Sequence, residues 1–334
     1  MIEAKFYDVT DWPEISYFNT KGTRNKCVLC DPSDDETYHF FKTSINKEGK
    51  RYKPEFWSEI ISSKIGQILG FNTLDYNIAF NDGHLGCISR SMIKGDETLV
   101  EGVNLLTGYN TSYKPDEKSH QSEYTFGFIK SSIRFFGLED GLSGIMETIV
   151  FDSIISNSDR HQENWGFIVT PDRQEQRKIV EIRNMLSVKS RTSELVKRLS
   201  VSKAVYSPIY DSGCCLAREI NESRVCQMLS DENMLNAFIN RGKSEIRWRN
   251  EKSKINHFEL IGELLREHHD DMAVIIKRAV DKYNKDEIMD VINNIDKNVP
   301  VKYRDDEALS IKRKELISIL IDKRIKILEE LLNG

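Results

Sequence analysis

The sequence predicts an α+β chain of two lobes, a small lobe rich in strands followed by a larger lobe made mostly of helices. Strand-like runs surround one helical segment in the first part of the chain, and beyond residue 93 the apolar residues recur mainly at helical spacing. The length of 334 residues suits two lobes, because single cores stop growing at roughly 250–300 residues. We therefore expect an N-terminal lobe over residues 1–92 and a C-terminal lobe over residues 93–334.

The N-terminal lobe is predicted to contain two hairpins with a helix between them. KCVLCDP and ETYHFFKTS are strand-like runs separated by the turn composition DPSDD, and DYNIAF and LGCISRSMI are separated by NDGH. Between the hairpins, PEFWSEIISSKIGQILGF has apolar residues at helical spacing, with Pro54 at its start and Gly70 at its end. Ahead of the first hairpin, YFNTKGTRNK has the composition of a flexible loop.

The C-terminal lobe is predicted to be mainly helical. GLSGIMETIVFDSIIS indicates a largely buried helix, and the strand runs WGFIV and AVYSPIYD follow it. A stretch rich in Lys and Arg between these strands predicts an insertion over residues 172–203. Residues 228–334 contain amphipathic segments such as HFELIGELLREHH and IKRKELISILIDKRIKILEELL, whose charged residues we expect on solvated faces. A coiled-coil or partner-binding role is the alternative for the last helix.

The composition is typical of a globular protein that does not enter a membrane. With 39% hydrophobic and 30% charged residues, the chain has enough apolar surface to fold. No run reaches the roughly 18 apolar residues of a membrane helix, and MIEAKFYDVTDWPEI lacks the features of a secretory signal. We therefore expect a cytoplasmic protein without membrane association. The net charge of −5 argues against direct binding to nucleic acid.

Six cysteines in a chain of this length are too sparse for a disulfide framework, so we expect reduced thiols. Cys27 and Cys30 form a C-x-x-C, which is also the pattern of half a zinc site or of a redox pair. No second pair follows at ligand spacing, and two thiols on a strand are the preferred interpretation. Cys214 and Cys215 are expected to act as packing residues.

A polar cluster, NSDRHQEN, lies between two apolar segments near the middle of the chain. Asp159 and Asn164 within it stand five positions apart, the spacing at which a kinase catalytic loop places its catalytic base and a Mg²⁺ ligand. A helix cap or a turn is the alternative for each residue alone. Farther along, YDSG at 210–213 supplies Asp211 after a strand run, where an aspartate can bind the metal that bridges the phosphates of ATP.

The N-terminal lobe offers a cation for the same chemistry. Lys42 lies in the strand run FFKTS, and Glu59 lies on the helix that follows. An ion pair between them would aim the lysine at the phosphates of a nucleotide. The alternatives are a solvated edge lysine and a surface glutamate, since the same helix also carries Glu55.

These motifs resemble those of the HipA-like serine/threonine kinases, which are bacterial toxin kinases with a two-lobed, protein-kinase-like fold. NSDRHQENWGF and SPIYDSG carry the resemblance, and FFKTS and SEIISSKIGQILGF extend it over residues 15–230. It implies that Asp159, in a catalytic loop at 157–166, is the catalytic base. It also implies that Asn164 and Asp211 bind Mg²⁺ and that Lys42 contacts the phosphates of ATP.

The resemblance further implies how the nucleotide is held. The residues that it assigns to this task are Gly22, Thr23 and Arg24 in the phosphate-covering loop, Ser89, Arg90 and Ser91 in a hinge facing adenine, and Lys42 with Glu59. His161 is interpreted as a residue that shapes the catalytic loop and touches the phosphates, with a purely structural role as the alternative. Thr20 or Thr23 is the counterpart of a loop residue that is self-phosphorylated in some family members. Trp165 is expected to pack behind the loop.

The sequence thus predicts a kinase that uses ATP and Mg²⁺ to phosphorylate a Ser or Thr hydroxyl of a protein. The resemblance implies the toxin of a toxin–antitoxin pair that acts on a translation component, with a small DNA-binding antitoxin as partner. Two alternatives remain: a kinase for a small molecule or a lipid, and a catalytically silent scaffold that binds ATP. The basic insertion at 172–203 is interpreted as a solvated segment, with a grip on an acidic or tRNA-bound partner as its alternative.

Overall fold

The computed structural model describes residues 2–15, 26–47, 50–171, 202–303 and 308–334. The elements of the N-terminal part are β1 (Phe6–Asp8), β2 (Lys26–Asp31), β3 (Asp34–Lys42), β4 (Asn46–Lys47), β5 (Lys50–Arg51), α1 (Glu55–Leu69), β6 (Tyr76–Asn81) and β7 (His84–Arg90). Five of these strands form one sheet in the order β1-β6-β7-β3-β2. Strand β7 is the last strand of this sheet along the chain, and β8 (Thr98–Glu101) belongs to another sheet.

Both predicted hairpins are present in the five-stranded sheet. Strands β2 and β3 are antiparallel, and so are β6 and β7. Strand β3 also pairs with β7, where Lys42 lies opposite Cys87. Lys42 therefore ends a strand that has a neighbour on each side. The parallel pairing of β1 with β6 was not predicted, because three residues are too few to show a strand period.

Helix α1 confirms the predicted helix and packs against strands β6 and β7. It ends at Gly70, whose φ of 80° lies in the left-handed region and whose N–H reaches carbonyls of the last turn. Glu55 and Glu59 are both buried in this helix. The alternative of a surface glutamate is therefore wrong for Glu59. A buried carboxylate needs partners, and those partners lie in the other half of the chain.

The elements of the C-terminal part that follow β8 are α2 (Gly102–Tyr109), α3 (Phe126–Phe135), α4 (Leu142–Ile155), β9 (Gly166–Pro171), β10 (Ser202–Tyr206), α5 (Glu222–Ser230), α6 (Glu232–Asn240), α7 (His257–Glu267), α8 (His269–Lys282), α9 (Lys285–Asn293) and α10 (Ile311–Asn333). Strands β8, β9 and β10 form a separate antiparallel sheet in the order β10-β9-β8. This division into a sheet-rich part and a helical part confirms the predicted two-lobed α+β fold. In the part of the chain that is described, no helix is both long and apolar enough to cross a bilayer.

One hydrophobic core runs through both lobes. It includes Ile60 of α1, Ile78 of β6, Ile149 of α4 and Ile276 of α8. Helix α4 is buried on most of its sides, as its apolar pattern predicts. A smaller cluster, which includes Phe41, forms separately in the sheet. The continuous core fixes α1, and with it Glu59, relative to the helix that leads into the polar cluster.

Helix α10 departs from the prediction of a solvated charged face. Arg313, Lys314, Asp322 and Arg324 are all buried, and the helix packs against α4, α5, α8 and α9. Arg324 donates hydrogen bonds to the carbonyls of Ser153 and Ile239, in the last turns of α4 and α6. The carbonyls at a helix C-terminus carry partial negative charge, so they stabilise this buried cation.

Candidate active site

The polar cluster forms a loop that begins where α4 ends. Ser156 has a φ of 57°, which turns the chain out of the helix. The Asn157 side chain donates to Asp152 Oδ1 at 2.9 Å and accepts from the Asp159 N–H at 3.3 Å. The Asn164 side chain donates to the Asp159 carbonyl at 2.9 Å. The main chain of Asp159 is thus held on both sides, while its side chain remains partly accessible.

Asn164 is suited to bind a cation. Its residue exposure is 5%, and its hydrogen bond to Asp159 uses the amide nitrogen, so the carbonyl oxygen Oδ1 can serve as a ligand. Among the described residues, no group of three or more His, Cys, Asp or Glu is placed to hold a metal. A Mg²⁺ shared with phosphates needs only one or two protein oxygens, and binding of such an ion by Asn164 and Asp211 stays a prediction.

Lys42 joins the two halves of the site. Its Nζ lies 3.0 Å from Asp211 Oδ1 and 3.4 Å from Glu59 Oε1. Burial opposes the charge of Lys42, but the nearby carboxylates of Asp211 and Glu59 outweigh that effect and raise the pKa of Lys42 well above its usual value. The alternative interpretation of Lys42 as a solvated lysine at a sheet edge is therefore wrong. The lysine stays protonated, and it lies beside the carboxylate predicted to bind metal.

Asp211 is held by contacts from the N-terminal lobe. Its φ of 54° is left-handed, a conformation that an aspartate keeps only when its surroundings stabilise it. The next N–H, that of Ser212, donates to Glu59 Oε2 at 2.8 Å. The Asp211 N–H lies 3.4 Å from the Tyr76 hydroxyl oxygen. Glu59 therefore contacts Lys42 with one oxygen and the main chain that follows Asp211 with the other.

Arg160 is a central residue of the site that sequence reasoning missed. It is 1% exposed, and its guanidinium forms a bidentate pair with Asp152, at 2.8 and 2.9 Å. It also donates to the Asn164 carbonyl at 2.9 Å, to Ser212 Oγ at 3.0 Å and to the Tyr210 carbonyl. One side chain thus joins α4, the loop that carries Asp159 and Asn164, and the segment that carries Asp211. This pairing with Asp152 raises the pKa of Arg160 above its usual value despite the opposing effect of burial.

A signal for this arrangement was present in the sequence. Asp152 lies in a helix whose other positions indicate burial, and a carboxylate there requires a cationic partner. Arg160 is the next cation along the chain. The spacing alone does not place the two together, because the turn after α4 decides where residue 160 points.

The segment that follows Asp211 is fastened to helix α1. The Cys215 carbonyl accepts from Ser58 Oγ at 3.3 Å, and Arg218 forms an ion pair with the buried Glu55. From the other side, Arg313 of α10 donates to the Ala217 carbonyl at 3.0 Å. The first two contacts hold α1, which carries Glu59, against the segment that follows Asp211, and the third ties that segment to α10.

The two adjacent cysteines differ in their surroundings. Cys215 is a packing residue as expected, and burial raises the pKa of its thiol well above the usual value. Cys214 is partly exposed, and its Sγ lies 3.1 Å from Asp159 Oδ2. Beyond the packing role expected for Cys214, its thiol contacts the predicted catalytic base.

The C-x-x-C of the first hairpin does not form a paired site. Cys27 and Cys30 lie on β2 opposite Phe41 and Tyr38, and an odd separation along a strand directs side chains to opposite faces. Burial, reinforced by Glu14, raises the pKa of Cys27 to about 11. A thiol of this kind is a poor metal ligand or redox partner, because the thiolate is the reactive form.

The predicted hinge lies at the end of β7. Ser89 is buried within the strand, and the Ser91 N–H donates to the Tyr38 carbonyl at 2.7 Å. The Arg90 guanidinium is directed toward strand β3, where it contacts Thr37 at 2.5 Å and Asp34 at 3.2 Å. Residues 91–97 then connect the two sheets. Contact between these residues and adenine stays a prediction.

His161 lies within the catalytic loop. Its Nδ1 accepts from the Glu163 N–H at 3.3 Å, and its carbonyl accepts from the Asn164 N–H at 2.9 Å. These bonds agree with the expected role in shaping the loop, whereas contact with phosphates stays a prediction. Trp165 is buried, and its indole N–H donates to Tyr124 Oη at 2.8 Å. Gly22, Thr23, Arg24 and Thr20, as well as residues 172–201 of the basic insertion, lie outside the described residues.

We expect Lys42→Met to lower the kcat/KM of phosphoryl transfer by about 10²–10³-fold. This is the usual effect of removing one hydrogen-bond donor that stabilises the charge developing in the transition state. The measurement is initial velocity against ATP concentration. Lys277→Met, which removes an exposed lysine of α8, is the control and should leave kcat/KM unchanged. Equal activity in the two variants would show that Lys42 does not act on the phosphates.

Comparison with solved structures identifies the fold. A Helicobacter pylori proinflammatory kinase, CtkA, superposes with a TM-score of 0.70 and 19% sequence identity, covering 98% of each chain. A Shewanella oneidensis HipA, solved with HipB and operator DNA, gives a TM-score of 0.45 and 10% identity over 95% of this chain and 65% of that one. No protein-family model matches the chain, and no curated protein matches it. The chain has the two-lobed fold of the first structure, which confirms the predicted kinase-like architecture.

Proposed function

We propose that this chain, which has a two-lobed kinase fold, is an ATP- and Mg²⁺-dependent serine/threonine protein kinase. The observation that carries the proposal is the position of Lys42 between Glu59 and Asp211. A lysine held in this way, next to a metal-binding carboxylate, is the arrangement that kinases use at the phosphates of ATP. Asp159 and Asn164 lie in the adjoining loop, which Arg160 fastens to the loop of Asp211.

Each residue of the site has a separate role in phosphoryl transfer. Lys42 would bind phosphate oxygens, and Asp211 with Asn164 would hold Mg²⁺, which when bound would neutralise charge on the phosphates. Asp159 orients the acceptor hydroxyl and takes its proton. The hydroxyl oxygen forms a bond to the γ-phosphorus as the bond from that phosphorus to the leaving oxygen of ADP breaks. The site thereby supplies positioning and electrostatic stabilisation, the two contributions on which this reaction mainly depends.

The electrostatics of the site support nucleotide binding. In the structure Lys42 is paired with both Glu59 and Asp211, at 3.4 and 3.0 Å. Phosphates that enter with Mg²⁺ offer Lys42 an anion and Asp211 a cation. The contact between Lys42 and Asp211 would then be replaced by one between Lys42 and phosphate and one between Asp211 and Mg²⁺, while Glu59 still holds the lysine.

The protein acceptor, a Ser or Thr hydroxyl, and the toxin role are proposed on the motif resemblance. NSDRHQENWGF and SPIYDSG are the segments that carry that resemblance to HipA-like kinases. By the same resemblance, the partner is a small DNA-binding antitoxin, and the target is a component of translation.

The direct test uses purified protein, γ-labelled ATP, MgCl₂ and a cell lysate as the source of acceptors. We expect label on protein as phosphoserine or phosphothreonine, and its loss when EDTA removes Mg²⁺. Label found only on lipids or small metabolites would show that the acceptor belongs to one of those classes and is not a protein. Binding of ATP without any turnover would indicate the catalytically silent scaffold.

A further inference from the structure

The catalytic loop and the segment after Asp211 touch directly at Cys214. The Cys214 Sγ lies 3.1 Å from Asp159 Oδ2, and the Cys214 carbonyl lies 3.4 Å from the Ser158 N–H. An ionised carboxylate only accepts hydrogen bonds, so the thiol is the donor. The side chain predicted to take the proton of the acceptor thus has one of its two oxygens engaged by a cysteine.

We propose that Cys214 is a positioning residue for phosphoryl transfer, whose S–H group fixes the rotation of the Asp159 carboxylate. This inference rests on the proposed kinase function. The terminal torsion of an aspartate is broad and two-fold, so an unrestrained carboxylate samples many orientations. With Oδ2 bound to the thiol, Oδ1 is left to accept the proton of the acceptor hydroxyl. Fixing this rotation before the reaction removes part of the entropic cost of reaching the reactive geometry.

The backbone next to Cys214 is held by a contact with helix α1. The neighbouring Cys215 is buried, and its carbonyl is bound by Ser58 of α1 at 3.3 Å. Leu216 and Ala217, with φ values of 53° and 58°, then turn the chain sharply. The position of the thiol is therefore tied to α1, the helix that also carries Glu59. The orientation of the catalytic base and the placement of Lys42 are set by the same element.

A thiol is a suitable donor for a catalytic base. Its bond occupies Oδ2, and Oδ1 keeps the lone pairs that must accept a proton. A residue that served only to fill space would be replaceable by an apolar side chain of similar size. Valine provides that replacement, whereas serine keeps a donor and loses volume. The two variants therefore distinguish a hydrogen-bonding role of Cys214 from a packing role.

The test compares Cys214→Val and Cys214→Ser in steady-state phosphoryl transfer. We expect Cys214→Val to lower kcat by about tenfold with the KM for ATP unchanged, because only a bond to a charged group near the reacting atoms is lost. Cys214→Ser should stay within about threefold of the wild-type kcat. Cys226→Val, at an exposed cysteine of α5, is the matched control and should behave as wild type.

A double variant shows whether the cysteine acts through Asp159. If it does, adding Cys214→Val to Asp159→Asn should cause no further loss of kcat. Wild-type kcat in Cys214→Val, or equal losses in the Val and Ser variants, would overturn the positioning role while leaving the kinase function in place. Failure of the wild-type protein to transfer phosphate at all would overturn both.

Discussion

Asp159→Asn should lower kcat for phosphoryl transfer by about 10²–10⁴-fold, the range that general base catalysis usually contributes. An amide keeps the size of the carboxylate and one accepting oxygen, but it cannot take the proton of the acceptor hydroxyl. The main-chain bonds of Asp159 to Asn157 and Asn164 do not depend on the carboxylate. Folding and nucleotide binding should therefore survive. Initial rates with γ-labelled ATP and a thermal melt measure the two properties.

The control for this variant comes from the same loop. Glu163→Gln makes the same carboxylate-to-amide change at an exposed side chain, and it should leave kcat within about twofold. The toxin role predicts that growth inhibition upon expression disappears together with catalysis in Asp159→Asn. If the variant remains toxic, toxicity does not arise from phosphoryl transfer. If it remains an active kinase, Asp159 is not the base.

Arg160→Met should destabilise the protein by about 3–5 kcal/mol, the typical result of removing one partner of a buried ion pair. The substitution leaves the Asp152 carboxylate buried. Among the described residues, its remaining hydrogen-bond donor is then the side-chain amide of Asn157. It also removes the donors that join the carbonyls of Asn164 and Tyr210. Denaturation in urea, monitored by circular dichroism, gives the change in the free energy of unfolding.

A second change at the same pair removes the carboxylate instead of the guanidinium. Asp152→Asn leaves the guanidinium of Arg160 buried without its carboxylate, and a loss of stability in the same direction is expected. Arg224→Met, at an exposed arginine of α5, is the matched control and should change the free energy of unfolding by less than about 0.5 kcal/mol. An Arg160→Met protein as stable as the Arg224→Met protein would show that the buried pair does not hold the two loops.

Several features could be predicted because they are local along the chain. The two hairpins of the first sheet follow from short apolar runs separated by turn residues, and α1 follows from its 3.6-residue period between Pro54 and Gly70. Asp159 and Asn164 were found in the same way, since both belong to one loop. Even the pairing of Lys42 with Glu59, 17 residues apart, was predicted from chain order and resemblance.

Other features could not be read from local patterns. The basic and acidic residues of α10 resemble a solvated face, yet four of them are buried. A period shows which residues share a face of a helix, but it does not show whether a second layer covers the polar face. Arg324 is buried because the ends of α4 and α6 supply carbonyls to it. Those partners depend on how the helices pack.

By itself the sequence determined the two-lobed α+β architecture, the order of its hairpins and main helices, and the candidate residues Lys42, Glu59, Asp159, Asn164 and Asp211. Only the tertiary structure decided that Arg160 joins the loop of Asp159 to the segment of Asp211. It also decided that Cys214 contacts Asp159, which lies 55 positions away in the chain. The physical reason is that periodicity and turn chemistry act over a few residues. A hydrogen bond between distant segments is fixed by how the intervening core packs, and no short stretch of sequence contains that information.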